Sequence, residues 1–166
     1  MDTVSNILTE SMLAAKGKGF AELIEDIVSR NNGEDKGFNR LLNIRLISAS
    51  KIENVYSADY SYRVSDDHLN PYGEVHGGIA AALFDTCIGY TAAGARMNPV
   101  TTTDMSISYY RALTGPTFRL HVELTHIGRK MVSGHAKIFN DRTGELCCAA
   151  LSTYMVLAPN LERVKV

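Results

Sequence analysis

The spacing of apolar residues changes near residue 41. Before that point, apolar side chains recur every three or four residues in two groups, Val4–Met12 and Phe20–Val28, and Gly17 and Gly19 lie between the groups. This spacing predicts two helices separated by a glycine-containing turn. We therefore predict an N-terminal helical extension over residues 1–40 and a single domain over residues 41–166.

Five later segments alternate apolar and polar residues, which predicts half-buried β-strands. They are YSADYSYRV, DMSISYY, FRLHVELTHI, MVSGHAKIF and ELCCAALSTYMVL. The links LTGPT, IGRK and NDRTGE between the last four segments are short and carry turn residues. We therefore expect consecutive strands to be antiparallel neighbours.

A different pattern lies between the first and second of these strands. From about Gly77 to Ala95 the residues are small or apolar on nearly every side of a predicted helix. Such a helix has to be covered by other elements on most of its surface. The expected fold class is α+β, with a long central helix wrapped by an antiparallel sheet of five or six strands.

Composition narrows the classes of function. The chain has 166 residues, 45% of them hydrophobic, and a formal net charge of -1, so binding of nucleic acid through bulk charge is not expected. The three cysteines have no CxxC spacing, which favours a reducing compartment. No apolar run is long enough to cross a membrane, and the first 20 residues do not resemble a secretory signal. We therefore expect a cytoplasmic protein without a membrane partner.

The entrance to the central helix has the sequence NPYGEVHGG, residues 70–78. The first N–H groups of a helix have no internal acceptor and lie at the positive end of the helix dipole. Because Gly77 and Gly78 lack a Cβ atom, a ligand oxygen can approach these donors closely. The pattern fits a site for a carbonyl oxygen that gains negative charge during acyl transfer. Tight packing of strand against helix explains the glycines equally well at this point.

Asp85 lies in the same helix, between AALF and TCIGY. No polar helix face exists there for the carboxylate to join. Burial raises the pKa and basicity of a carboxylate, so a carboxylate in apolar surroundings is a reasonable general base or nucleophile.

Gly77 and Asp85 are eight residues apart in the sequence, which corresponds to about 12 Å along a helix axis. A base has to come within about 3 Å of its proton, or act through one water. One helix therefore cannot present both groups to one substrate carbon, whereas two antiparallel copies related by a two-fold axis can. If both residues act in catalysis, the active unit is at least a homodimer.

The NPYGEVHGG segment followed by Asp85 resembles the hotdog-fold acyl-CoA thioesterases of the phenylacetate-pathway (PaaI-like) type. The segments TTTDMSISYYRAL and HIGRKMVSGHAKIFNDRTGELCCAA extend the resemblance, which covers about residues 41–157. It implies hydrolysis of an acyl-CoA thioester to the free acid and CoA, with no metal and no cofactor other than the CoA of the substrate. It also implies an assembly of two dimers into a homotetramer.

The resemblance also implies roles for individual residues. Asn70 and the Gly77 amide would hold the thioester carbonyl, with Gly78 beside them, and His76 would position the group. Asp85 of the other subunit would activate water or attack directly, and Thr102 would orient the water or the acid.

Other features leave alternatives open. Arg129 and Lys130 lie in the IGRK turn, where family members often meet the nucleotide phosphates of CoA, but a solvated hairpin tip has the same sequence. We expect Phe84, Tyr90 and the extension to shape the acyl pocket. A hotdog hydratase or dehydratase and a non-catalytic acyl-CoA-binding protein are the alternative functions.

Overall fold

The computed structural model describes residues 18–33 and 37–157. It contains two α-helices, α1 (Phe20–Gly33) and α2 (Gly77–Arg96), and two short 3-10 helices, Phe38–Leu42 and Asp66–His68. Six strands complete the fold: β1 (Ile44–Ile52), β2 (Val55–Arg63), β3 (Val100–Tyr109), β4 (Thr117–Ile127), β5 (Met131–Asn140) and β6 (Leu146–Val156). The predicted first helix of the extension lies outside the described residues, and the boundary at residue 41 stays a prediction.

The six strands form one antiparallel sheet in the order β1-β2-β4-β5-β6-β3. α2 packs against β2, β3, β4, β5 and β6, and the two-layer arrangement confirms the predicted α+β class with a hotdog fold. The five alternating segments are all strands. β1 was missed because it lies at the sheet edge and only Ile44 is buried along it, so its sequence does not alternate clearly.

One topological prediction is wrong. β4 and β5, and likewise β5 and β6, are neighbours as expected, but β3 pairs with β6 and not with β4. The link between β3 and β4, residues 110–116, can span roughly 23 Å when extended, whereas three strand spacings amount to only about 14 Å. A link of this length can therefore cross the ends of β5 and β6, and its shortness does not require adjacent strands.

α1 covers part of α2 that the sheet leaves open. Its buried residues, Leu23, Ile24, Ile27 and Val28, follow the predicted helical spacing. A Cβ atom at Gly94 of α2 would lie 2.8 Å from Cγ1 of Ile24. The two helices can therefore approach this closely only because residue 94 has no side chain.

Candidate active site

The start of α2 has an unusual arrangement of hydrogen-bond donors. His76 is the N-cap residue, and its Nδ1 accepts a hydrogen bond from the backbone N–H of Gly78 at 2.9 Å. The Gly77 N–H has no acceptor among the described residues. The Tyr109 hydroxyl donates to the Gly77 carbonyl at 2.8 Å and fixes this peptide group against β3. Of the two glycine amides, the one at Gly77 is therefore available to a ligand.

Gly78 has a structural reason to be glycine. A Cβ atom there would lie 3.0 Å from Nδ1 and 3.3 Å from Cε1 of the His76 ring. The glycine thus makes room for the histidine that caps the helix. Its predicted contact with substrate stays a prediction.

The loop before α2 is folded around the side chain of Asn70. Its Oδ1 accepts hydrogen bonds from the backbone N–H of Tyr72 at 2.9 Å and of Glu74 at 3.2 Å. Within the described part of the chain, the Asn70 side-chain nitrogen has no acceptor. The oxygen therefore shapes the loop and the nitrogen is available as a donor.

His68 ties the same loop to the core, a contact that the sequence did not reveal. The residue is 3% exposed, its Nδ1 lies 2.7 Å from the Tyr62 hydroxyl, and its Nε2 lies 2.7 Å from the Leu41 carbonyl oxygen. Because a carbonyl can only accept, Nε2 carries the ring proton and Nδ1 accepts from Tyr62. The His68 carbonyl in turn accepts from the N–H of His76 at 2.8 Å. His68 thereby anchors the residue that caps α2.

Asp85 lies in the middle of α2, half-buried, and faces β3 and β6. The Thr102 hydroxyl donates to its Oδ1 at 2.5 Å. The Tyr154 hydroxyl donates to the Asp85 carbonyl oxygen at 2.8 Å and lies 3.5 Å from Oδ1. Burial raises the pKa of Tyr154, and the nearby Asp85 charge raises it further, so this hydroxyl keeps its proton. The carboxylate thus has polar partners on the sheet, although its own helix offers none.

A β-bulge brings Thr102 to the carboxylate. Thr102 and Tyr109 are seven residues apart, so unbroken alternation would place them on opposite faces of β3. The pairing of β3 with β6 shifts between Thr102 and Asp104, which inserts Thr103 as an extra residue. Both Thr102 and Tyr109 consequently face α2, one beside Asp85 and the other beside Gly77.

A groove of about 150 Å³ lies beside the carboxylate. Its walls include Asp85, Thr102 and Tyr154 at one side and Tyr90 and Asn39 at another. Two of the predicted contributors, Tyr90 and the extension through Asn39, therefore line the groove. Phe84 does not, because it is fully buried in the core.

Arg129 and Lys130 are exposed in the turn between β4 and β5. The Lys130 carbonyl accepts from the N–H of Val156, and Val132, two residues later, pairs with Tyr154. Tyr154 also pairs with Thr102. The turn is therefore at the same end of the sheet as the Asp85 groove. A contact of its cations with a ligand stays a prediction.

The Gly77 and Asp85 regions are separate within one protomer. Their contacts on β3, Tyr109 and Thr102, are seven residues apart, which corresponds to roughly 20 Å of strand. Gly77 does not line the groove beside Asp85. Gly77 and Asp85 both lie in the regular helix α2, so the eight residues between them correspond to about 12 Å along its axis within one protomer.

The three cysteines, Cys87, Cys147 and Cys148, are free thiols buried in the core. Burial raises the pKa of Cys148 to about 12. Among residues 18–33 and 37–157 no group of three or more His, Cys, Asp or Glu side chains is placed to hold a metal ion. Over the same residues, no helix is long and apolar enough to cross a membrane. The cytoplasmic location stays a prediction.

Comparison with known proteins supports the resemblance seen in the sequence. The family model of the Thioesterase superfamily matches residues 72–147, which include Gly77, Asp85 and Thr102. No curated protein matches the chain.

Among solved structures, zebrafish thioesterase superfamily member 2 is 21% identical with a TM-score of 0.74, covering 84% of this chain and 100% of its own. A hypothetical thioesterase from Streptococcus pneumoniae, solved with coenzyme A, is 25% identical with a TM-score of 0.61, covering 70% and 87%. A Streptococcus mutans protein bound to acetyl CoA is 23% identical with a TM-score of 0.65, covering 76% and 95%. The PaaI-like type stays a prediction, whereas the chain has the hotdog fold and its residues 72–147 match the thioesterase superfamily, as the sequence resemblance predicted.

Proposed function

We propose that this protein is an acyl-CoA thioesterase that hydrolyses the thioester to a free acid and CoA. The observation that carries the proposal is the Asp85 carboxylate, half-buried at a groove and held by the Thr102 hydroxyl at 2.5 Å. A structural ion pair would explain an acid in a helix, but Asp85 has no cationic partner among the described residues. The superfamily match and the neighbours solved with coenzyme A and acetyl CoA support the same chemistry.

In the proposed reaction, Asp85 takes a proton from water as the water oxygen attacks the thioester carbonyl carbon, or it attacks that carbon itself. The hydrogen bond from Thr102 holds Oδ1 of the carboxylate, and Oδ2, which has no hydrogen-bond partner among the described residues, is the oxygen proposed to act. The C–S bond then breaks, and CoA leaves and takes up a proton to become the free thiol. Where Asp85 itself has attacked, the product of this step is a mixed anhydride of Asp85 and the acyl group, and water then hydrolyses it to release the free acid and restore the carboxylate.

The carbonyl oxygen becomes negative during this attack, and the Gly77 N–H is a suitable donor for it. The amide is exposed and lies at the positive end of α2. The side-chain nitrogen of Asn70 is a second donor from the same loop. His76 has a positioning role in this proposal, since its Nδ1 already holds the Gly78 amide.

A complete site requires two protomers, because Gly77 and Asp85 of one chain do not meet. Two features support a homodimer with composite sites. β3 is a ten-residue edge strand with open backbone groups, and such an edge can pair with a second copy. The helix residues Gly78, Ala81, Ala82, Asp85 and Gly89 form a partly exposed stripe of small side chains around the acid. We further propose that two dimers associate into a homotetramer.

Arg129 and Lys130 are proposed to contact the phosphates of the CoA moiety. They are exposed cations at the same end of the sheet as Asp85. A phosphate group prefers such cationic partners. In a composite site, the turn between β4 and β5 can contact a CoA whose thioester lies beside Asp85 of either subunit.

The decisive experiment measures release of free thiol from a panel of acyl-CoAs. Asp85→Asn keeps the size of the side chain and an oxygen for Thr102 but removes the base, and we expect a loss of roughly 10²- to 10⁴-fold in kcat/KM. Asp104→Asn is the matched control, because Asp104 is an exposed acid two residues after Thr102 and its side chain makes no ion pair within the described chain. Equal activity of both variants would contradict the assigned role of Asp85.

The same panel distinguishes the other functions. Hydration of an enoyl-CoA without thiol release would identify a hydratase or dehydratase. Binding of acyl-CoA without any turnover would identify a non-catalytic acyl-CoA-binding protein.

A further inference from the structure

One wall of the Asp85 groove contains a buried network of three polar side chains. The Asn39 side-chain nitrogen donates to the Tyr90 hydroxyl oxygen at 3.0 Å. The Thr86 hydroxyl donates to Asn39 Oδ1 at 3.3 Å. All three residues line the groove, and Asn39 reaches it from the 3-10 helix Phe38–Leu42, outside the matched residues 72–147.

The network has unused donors but few unused acceptors. Asn39 Oδ1 is occupied by the Thr86 hydroxyl, which directs the amide nitrogen toward Tyr90. The Tyr90 oxygen accepts from that nitrogen, and its own proton has no acceptor among residues 18–33 and 37–157. The second N–H of the Asn39 side-chain amide also has no acceptor among these residues.

Tyr90 keeps this proton under ordinary conditions. The residue is only 7% exposed, and burial raises its pKa. An alkyl chain in the groove would cover the Tyr90 donor without giving it an acceptor, whereas a ligand oxygen would pair with it, so the wall favours a ligand that brings an acceptor oxygen.

The groove is open to solvent and has a volume of about 150 Å³. A molecule the size of benzene, or an acyl group of roughly six heavy atoms, fits in it. Gly89 helps to keep the groove open, since a Cβ atom there would lie 3.4 Å from the Tyr154 ring.

Building on the proposed thioesterase function, we propose that Asn39 and Tyr90 are specificity-determining residues that select a short acyl group with a hydrogen-bond acceptor oxygen, such as an oxo group, over the plain alkyl chain. Asp85 and Thr102 line the groove at its carboxylate side, and the donors line it elsewhere. The thioester and the distal oxygen of one acyl group can therefore be held at the same time.

The test compares ligands that differ only in the oxo group. Non-hydrolysable CoA thioethers carrying hexyl and 5-oxohexyl chains, and pentyl and 4-oxopentyl chains, are titrated by calorimetry. We expect the protein to bind at least one oxo ligand about tenfold more tightly than its alkyl partner, which is the gain of one well-formed hydrogen bond. Because the ligands are not turned over, the comparison is valid whether or not the protein hydrolyses thioesters.

Three variants test which residues cause the preference for the oxo ligand over the alkyl ligand. Tyr90→Phe removes the spare proton with little change in shape, and Asn39→Leu removes the partner, so each is expected to reduce the oxo/alkyl ratio to about one. Tyr56→Phe is the matched control, because Tyr56 packs against Phe20 away from the groove and its loss of a hydroxyl leaves the ratio unchanged. Circular dichroism verifies that each variant is folded.

The outcomes separate this proposal from the thioesterase assignment. Equal affinities within both ligand pairs for the natural chain would overturn the role of Asn39 and Tyr90, as would a preference that survives Tyr90→Phe. Absence of thiol release from every acyl-CoA would overturn the thioesterase assignment and leave the affinity ratio to decide the ligand class.

Discussion

The entrance and the middle of α2 make opposite contributions to chemistry. The entrance around Gly77 is exposed and offers a backbone N–H that has no acceptor among the described residues. The middle around Asp85 is half-buried and offers one carboxylate, with the hydroxyls of Thr102 and Tyr154 directed at it or at its backbone. A donor site stabilises an oxyanion and a carboxylate activates a nucleophile, so each region supplies what the other lacks.

The entrance and the middle of α2 also differ in which elements hold their functional groups in place. The entrance is shaped mainly by its own loop, through Asn70, His68 and the cap at His76, with one strand contact from Tyr109 to the Gly77 carbonyl. The middle depends on two strands that are distant in sequence, β3 and β6. The entrance can therefore be perturbed one backbone group at a time, whereas the carboxylate is tuned by side chains of the sheet.

A large effect is expected from the variants that test whether the two regions join across subunits. Gly77→Pro removes the proposed oxyanion donor, and we expect a loss of roughly 10²- to 10³-fold in kcat. Proline is favoured at the first residue of a helix, and the preceding His76, at φ -59 and ψ 135, has the conformation that a residue before proline prefers. Gly77→Ala keeps the amide but adds a Cβ, which would meet Tyr109 at an ordinary 3.7 Å, so the loss in Gly77→Pro beyond that in Gly77→Ala measures the contribution of the N–H itself.

Purified heterodimers of Gly77→Pro and Asp85→Asn chains then contain one site with both natural halves, and we expect about half of the natural activity. Heterodimers of the natural chain with the Gly77→Pro/Asp85→Asn double variant contain no such site and should be inactive. The reverse pattern, with activity only in the second heterodimer, would place both residues in one site of one chain.

An intermediate effect is expected when the hydrogen bond to the Asp85 carboxylate is removed and the carboxylate itself is kept. Thr102→Val removes the hydrogen bond to Asp85 Oδ1 while keeping the branched shape that suits a strand. We expect roughly a tenfold loss of kcat with little change in KM, because one oriented hydrogen bond is lost and the base remains. Thr102→Ser keeps the hydroxyl and should retain most of the activity, so a loss in Thr102→Ser as large as the loss in Thr102→Val would contradict the assigned role of the hydroxyl.

The sequence was most informative where the signal is local. Gly77, Gly78 and Asp85 stand out because glycines at a helix start and an acid among apolar residues are visible within one short segment. The helix bounds and five of the six strands follow from periodicity for the same reason. The eight-residue separation along α2 also predicted that one helix cannot join the two regions.

Contacts between residues that are distant in the sequence cannot be predicted from periodicity. Tyr154 is one inward residue of β6 among several, and only the pairing of β6 with β3 brings it to Asp85. Thr102 was identified by resemblance alone, since regular alternation would have pointed it away from the helix and only the bulge at Thr103 reverses this. Asn39 reaches the groove through the packing of a short 3-10 helix that periodicity does not predict.

The smallest expected effect concerns the cap at the entrance. His76→Ala removes the acceptor for the Gly78 amide, and we expect unfolding to become easier by about 1 kcal/mol, the usual cost of losing an N-cap. His76→Asn supplies another good capping side chain and should recover most of that free energy, as measured by denaturant unfolding at fixed protein concentration. If His76 only positions the helix start, kcat in the two variants follows the stability, and the asparagine variant is closer to the natural chain than the alanine variant. A loss of 10²-fold or more in kcat that asparagine does not rescue would instead make the imidazole a proton carrier, and the entrance would then supply acid–base chemistry in addition to backbone donors.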